Sequence, residues 1–202
     1  MLLIFSACTT LIQWQMGIKS PKLESHDSLT GFLEKKKLTG ERLLIVQNLK
    51  SYAALSKKNW NSFPEALFFD REGRFVPYKE TAQSCNAGVG SFVSSIQDLD
   101  QLERIDSITA DTLLQYLEES NSGRKIRFTE LPSADLHVFL LWARFAGKLN
   151  QQKVWDWQAH FRKARENGLQ IEETLISMDL QEKWDLKPEE KARLRESGIK
   201  IK

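Results

Sequence analysis

Residues 136–150 constrain the fold of this chain more than any other stretch. Leu136, Val138, Phe139, Leu140 and Leu141 form an apolar run that predicts a buried strand, which enters a corner from Trp142 to Gly147 and then an amphipathic helix. Over Gln151 to Asn167 the helix carries Val154, Trp157, Phe161 and Ala164 on one stripe, with Lys153, Gln158, Arg162, Lys163 and Glu166 on the rest. Asn167 and Gly168 make a C-terminal stop, because glycine takes the left-handed conformation that closes a helix without steric cost. Leu169 to Met178 predicts a second strand ending in Asp179. Trp184 follows, and a charged helix is expected over 189–196, after Pro188.

The corner resembles the first strand, active-site loop and first long helix of the thioredoxin superfamily, whose pattern is an apolar strand followed by Trp-Ala-x-Trp-Cys-Gly-x-Cys. Trp142, Ala143 and Gly147 carry the likeness, but Ala146 and Leu149 stand at the two cysteine positions. Disulfide exchange needs a thiolate activated at a helix N-terminus and a second thiol to resolve the mixed disulfide. Neither Ala146 nor Leu149 can serve, so Trp142, Phe145, Ala146, Gly147 and Leu149 read as a degenerate active-site corner.

A second segment shares the resemblance. Residues 63–70 and 74–78 predict a β-hairpin around Arg71, Glu72 and Gly73, with the glycine supplying the positive φ of the turn. Family members place a cis-proline just before the third strand and an Asp-x-x-Gly turn into the fourth; Pro64, Asp70 and Gly73 fall at the matching positions. Most X-Pro bonds are trans, so Pro64 is a candidate cis-proline only through the resemblance. Here the hairpin precedes the first strand, whereas in the family it follows the second. The resemblance therefore implies an α/β fold, a thioredoxin-like mixed sheet flanked by helices, either in permuted element order or as two incomplete halves packed together.

Elsewhere the pattern predicts a strand over 42–48 and a helix over 51–59. A loop over 79–90 holds Cys85, and helices follow over 92–102 and 109–119. Alternating apolar and charged residues over 125–130 predict a half-buried edge strand. Trp155 should point away from the core stripe of its helix. With Trp142 or Trp184 it would make an apolar patch for a partner, although core packing is the plainer account of these rings.

Charge excludes some classes of partner. Twenty-nine Lys and Arg against 27 Asp and Glu leave a formal charge of +2 with the signs interspersed, so nucleic acid is not implied. Glu34 to Lys37 reads as a solvated helix face. Two cysteines cannot build a four-cysteine zinc site, and His26, His137 and His160 lack metal-ligand spacing. No phosphate loop or nucleophile elbow occurs, no cofactor is implied, and Asp70 and Asp179 read as turn-forming carboxylates.

The N-terminus adds a location. Ser6 and Ala7 precede Cys8 as small residues precede the lipidated cysteine of bacterial lipoprotein signal peptides, which they resemble; a basic n-region and the roughly 7–15 apolar residues of a full h-region are lacking. Residues 1–8 then form a signal remnant with Cys8 as the lipidation site, residues 9–40 a tether ending in a short helix over 28–37, and residues 41–202 the α/β domain. The expected protein is a redox-inactive thioredoxin-like module of the bacterial envelope, anchored by acyl chains and binding another envelope protein. Without a true lipobox it is cytoplasmic. The opposing expectation is a thiol oxidoreductase or peroxidase using Cys85, the only other cysteine.

Overall fold

The computed structural model describes residues 17–38, 42–60, 62–79, 86–196 and 199; Cys8 and Cys85 lie outside them. In chain order the elements are β1 (Leu23–Glu24), α1 (His26–Lys36), β2 (Arg42–Val46), α2 (Leu49–Lys57), β3 (Glu65–Asp70), β4 (Arg74–Val76), α3 (Val89–Ser95), β5 (Ile105–Thr109), α4 (Ala110–Leu114), β6 (Leu117–Glu119), β7 (Leu136–Trp142), α5 (Lys148–Glu166), β8 (Ile171–Ser177), β9 (Leu180–Gln181) and α6 (Pro188–Glu196).

Seven strands form one mixed sheet in the order β5-β4-β3-β7-β8-β2-β6, and β1 pairs with β9 in a small parallel sheet of its own. In the centre, β7 runs parallel to β8 and antiparallel to β3. Because β3 and β7 share a ladder from Glu65 opposite Leu141 to Asp70 opposite Leu136, the two segments belong to one sheet and not to two packed halves.

Helices cover both faces, which explains the unbroken apolar reading of β7. Val138, Leu140 and Trp142 face one core with Leu29 and Leu33 of α1, Val93 of α3 and Val154, Trp157 and Phe161 of α5. Phe139, Leu141 and Ala143 face the other with Leu55 of α2 and Leu113 and Leu114 of α4. A strand buried on both faces loses the period-two alternation that marks a half-exposed one.

Local chemistry sets the ends of the elements. Ser25 caps α1 by accepting from Ser28 N–H, and Asn48 caps α2 by accepting from Ser51 N–H. Helix α5 starts at Lys148, earlier than the expected Gln151, and ends where Gly168 adopts φ +96°.

Four expectations are corrected. Residues 109–119 are not one helix: Ile105–Thr109 pairs with β4, α4 is a short helix capped by Thr109, and Leu117–Glu119 pairs with β2 at the far edge. The helix expected over 92–102 starts at Val89 and stops at Ser95, because Ile96 turns to ψ 107°; a separate 3₁₀ turn over Leu99–Gln101 is capped by Asp98. The expected edge strand at 125–130 is a 3₁₀ turn over Phe128–Glu130. Carboxylates of Asp111 and Glu130 take the N–H groups of Phe128 and Arg127 at 2.8 and 2.7 Å, bonds that a strand would give to a neighbour. Finally, the tether over 9–40 does not run to residue 40. Leu29 is fully buried and β1 is paired, so the domain begins well before residue 41, its few apolar residues hidden in a polar composition.

Candidate functional site

The corner is built where β7 hands over to α5. Asn150, buried in the first turn of α5, reaches back to Ala143: its Oδ1 accepts the Ala143 N–H at 3.4 Å and its Nδ2 donates to the Ala143 carbonyl. Residues Arg144–Ala146 form a 3₁₀ turn, and Gly147 follows at φ 60°, ψ −130°, a conformation that a Cβ would strongly disfavour. Ala146 is buried, Gly147 is partly exposed, and of Leu149 only the backbone is described, in the first turn of α5.

Pro64 comes to the same place. The Phe63–Pro64 bond is cis and Pro64 is buried, its carbonyl accepting from Asn86 Nδ2. Half-buried Phe63 and Phe145 meet edge to face, with ring centroids 5.3 Å apart. Trp142, Phe145, Ala146, Gly147 and Pro64 are thus brought together by the antiparallel β3–β7 pair.

Asp179 sits beneath the turn and does more than end a strand. It is 1% exposed, and its Oδ2 accepts the Arg144 N–H at 2.7 Å and the Ser177 hydroxyl at 3.0 Å. Burial pushes its pKa up to about 6, with a further rise from the Glu24 charge, while hydrogen bonds from the Arg144 and Phe145 backbone and from Ser177 pull the other way. Burial, with the Asp179 charge second, likewise raises the Tyr52 phenol.

Residues that sequence reasoning did not single out close the corner from above. Lys19 N–H donates to the Phe145 carbonyl at 2.9 Å, and Glu24 Oε2 takes Arg144 Nη1 at 2.6 Å. The same guanidinium group bonds Ser28 and lies over the Phe32 ring at 5.7 Å. Phe32 in turn stacks on Trp142, with centroids 5.6 Å apart and planes 6° from parallel. The indole Nε1 of Trp142 is buried and has no hydrogen-bond partner among the described residues. An N-terminal arm, residues 17–36, therefore occupies the corner. The available signal was Arg144, a lone charge set between apolar neighbours that needed a carboxylate to be held there.

Other expected residues stand apart. Trp142 and Trp184 are buried, so neither forms a patch with Trp155, which is exposed alone; Trp184 donates to the Val46 carbonyl at 2.9 Å. Asp70 accepts from the N–H groups of Glu72 and Arg74 and from the guanidiniums of Arg74 and Arg104. Burial alone would raise its pKa, but these bonds outweigh it and hold the carboxyl below its ordinary value. His137 is buried in β7 against Phe128, its Nδ1 without a hydrogen-bond partner among the described residues, and burial lowers its pKa against an opposing pull from Asp70. Among the described residues no cluster of His, Cys, Asp or Glu is arranged to hold a metal, and no helix is long and apolar enough to cross a membrane.

No protein-family model, curated protein or solved structure matches this chain.

Proposed function

We propose that this is a thioredoxin-like protein, in permuted element order, whose corner binds protein segments and no longer exchanges disulfides. The scaffold is supported by four features found together: parallel β7 and β8 joined through α5, β3 antiparallel to β7, the cis bond at Phe63–Pro64 entering β3, and α3 packed on α5. In this frame a methyl and an isobutyl group stand at positions 146 and 149, where the chemistry needs sulfur.

One observation carries the binding role: the corner already holds a peptide segment, the chain's own arm, through the Lys19–Phe145 backbone bond and the Arg144–Glu24 pair. Beside the arm, Phe63 and Phe145 remain half-exposed and offer an apolar contact for a partner. If Cys8 is lipidated, the eight residues 9–16 separate it from Gly17, a reach of at most about 30 Å. The corner then lies close to the bilayer, and its partner is another protein of the bacterial envelope.

A photo-crosslinking residue at position 145, introduced in cells, tests this. The expected result is one discrete adduct in the membrane fraction, lost when Phe63→Glu is added. Recovery of the protein in the soluble fraction with no adduct would count against both anchoring and binding. Peroxide or disulfide turnover that disappears in Cys85→Ser would establish the thiol enzyme instead.

A further inference from the structure

At the far edge of the sheet from β5, a cavity of about 520 Å³ opens between α1, β2 and the end of β6, and two of its wall residues are Ser120 and His26. The Ser120 hydroxyl and His26 Nδ1 are 2.5 Å apart. We propose that this pair is a nucleophile and its general base, and that the cavity hydrolyses short aliphatic acyl esters. The proposal does not depend on the corner.

Three features distinguish the pair from an ordinary surface contact. First, Ser120 is held rigidly. Its N–H donates to the Leu43 carbonyl at 3.1 Å, and Glu119 beside it is locked by Arg42 and Arg124, each at 2.9 Å. Second, His26 is the first residue of α1, with its backbone fixed by the Ser25 cap and by Thr30, whose hydroxyl donates to the His26 carbonyl at 3.0 Å. With the proton on Nε2, Nδ1 is free to accept from the Ser120 hydroxyl. Third, the cavity pairs this dyad with what an ester needs: Leu33, Leu43 and Leu175 line an apolar wall for an acyl chain, and Asn121 lines the cavity with an amide that can donate to an oxyanion.

The chemistry balances with water as the only co-reactant. Ser120 Oγ attacks the acyl carbon while its proton passes to Nδ1. The ester C–O bond then breaks, and Nδ1 returns the proton to the departing alkoxide, releasing alcohol and leaving acyl-serine. Water, deprotonated by the same nitrogen, attacks the acyl-serine, releases the carboxylic acid and restores the hydroxyl. Among the described residues no carboxylate orients His26, so this is a dyad.

The test uses the full chain, a fluorophosphonate probe and p-nitrophenyl butyrate. The expected results are a single probe adduct mapped by mass spectrometry to Ser120, and ester hydrolysis reduced about 100-fold or more in both Ser120→Ala and His26→Gln. His26→Gln should unfold at the same temperature as wild type, so that its loss of activity reports the chemistry and not the fold. Probe on any other residue, no probe at all, or hydrolysis unchanged by either substitution would overturn the proposal. If Ser120→Ala does not fold, the wild-type adduct map and His26→Gln decide the question.

Discussion

Asp179 and His137 are both buried titratable groups, and burial drives them in opposite directions. The folded protein holds Asp179 at about 6 against an ordinary 3.8, so the fold binds its proton more tightly than the unfolded chain does. Its contribution is therefore fully present below about pH 4 and is lost as pH rises to about 6, by about 3 kcal/mol at most. Asp179→Asn keeps an acceptor for the Arg144 N–H and carries no charge. Urea unfolding at pH 4, 5, 6 and 7 should show this variant without the decline and more stable than wild type at pH 7. His137 acts with the opposite sign: its lowered pKa gives stability that is present above about pH 6.5 and is lost as pH falls toward its folded value. His137→Phe should flatten that acid limb. The two slopes oppose each other in the wild type, and only the single variants separate them. At the hairpin, Gly73→Ala should cost about 2 kcal/mol in thermal or urea unfolding. Its φ is +77°, and a Cβ there would lie 2.8 Å from the Phe128 ring.

Elements were legible in the sequence to the degree that their own residues determine them. The stretch β7–α5–β8 was readable because two strands buried on both faces flank a 19-residue helix with a clear glycine stop. The region β5–α4–β6 was not, because it consists of short pieces whose identity is set by distant partners: Thr109 opposite Arg74, and Leu117 opposite Val46. A window of residues 109–119 contains neither partner. The arm was missed for the same reason: Glu24 and Arg144 are 120 residues apart, and nothing local marks Glu24 as buried. Leu29 and Leu33 of α1 belong to the core, whereas the segment before it meets the corner through the Lys19–Phe145 and Glu24–Arg144 bonds, so weakening the corner contact should loosen residues 17–24 without unfolding the sheet. Phe32→Ala removes the ring stacked on Trp142 and should cost about 2 kcal/mol. Hydrogen exchange of the Lys19 amide should rise in this variant while amides of β7 and β8 stay protected. Equal loss of protection at Lys19 and in the sheet would show that residues 17–24 unfold only with the core.

At the scale of the molecule, the likeness in the sequence pointed to a corner, a hairpin and an order of elements that a single continuous sheet now joins. That no cysteine stands at positions 146 and 149 was visible at once; the arm that fills the corner was not, because Glu24 lies 120 residues from Arg144. The proposed function requires that positions 146 and 149 occupy a thiol-exchange frame emptied of its thiols. The double substitution Ala146→Cys and Leu149→Cys tests it directly, in a Cys8→Ser, Cys85→Ser background, by thiol titration and reduction potential. The folded variant should form an internal disulfide, and on reduction the thiol at position 146, in the turn just before the N-cap Gly147 of α5, should titrate below the ordinary value of about 8.5. A folded variant whose two thiols form no internal disulfide and titrate as free cysteines would contradict it.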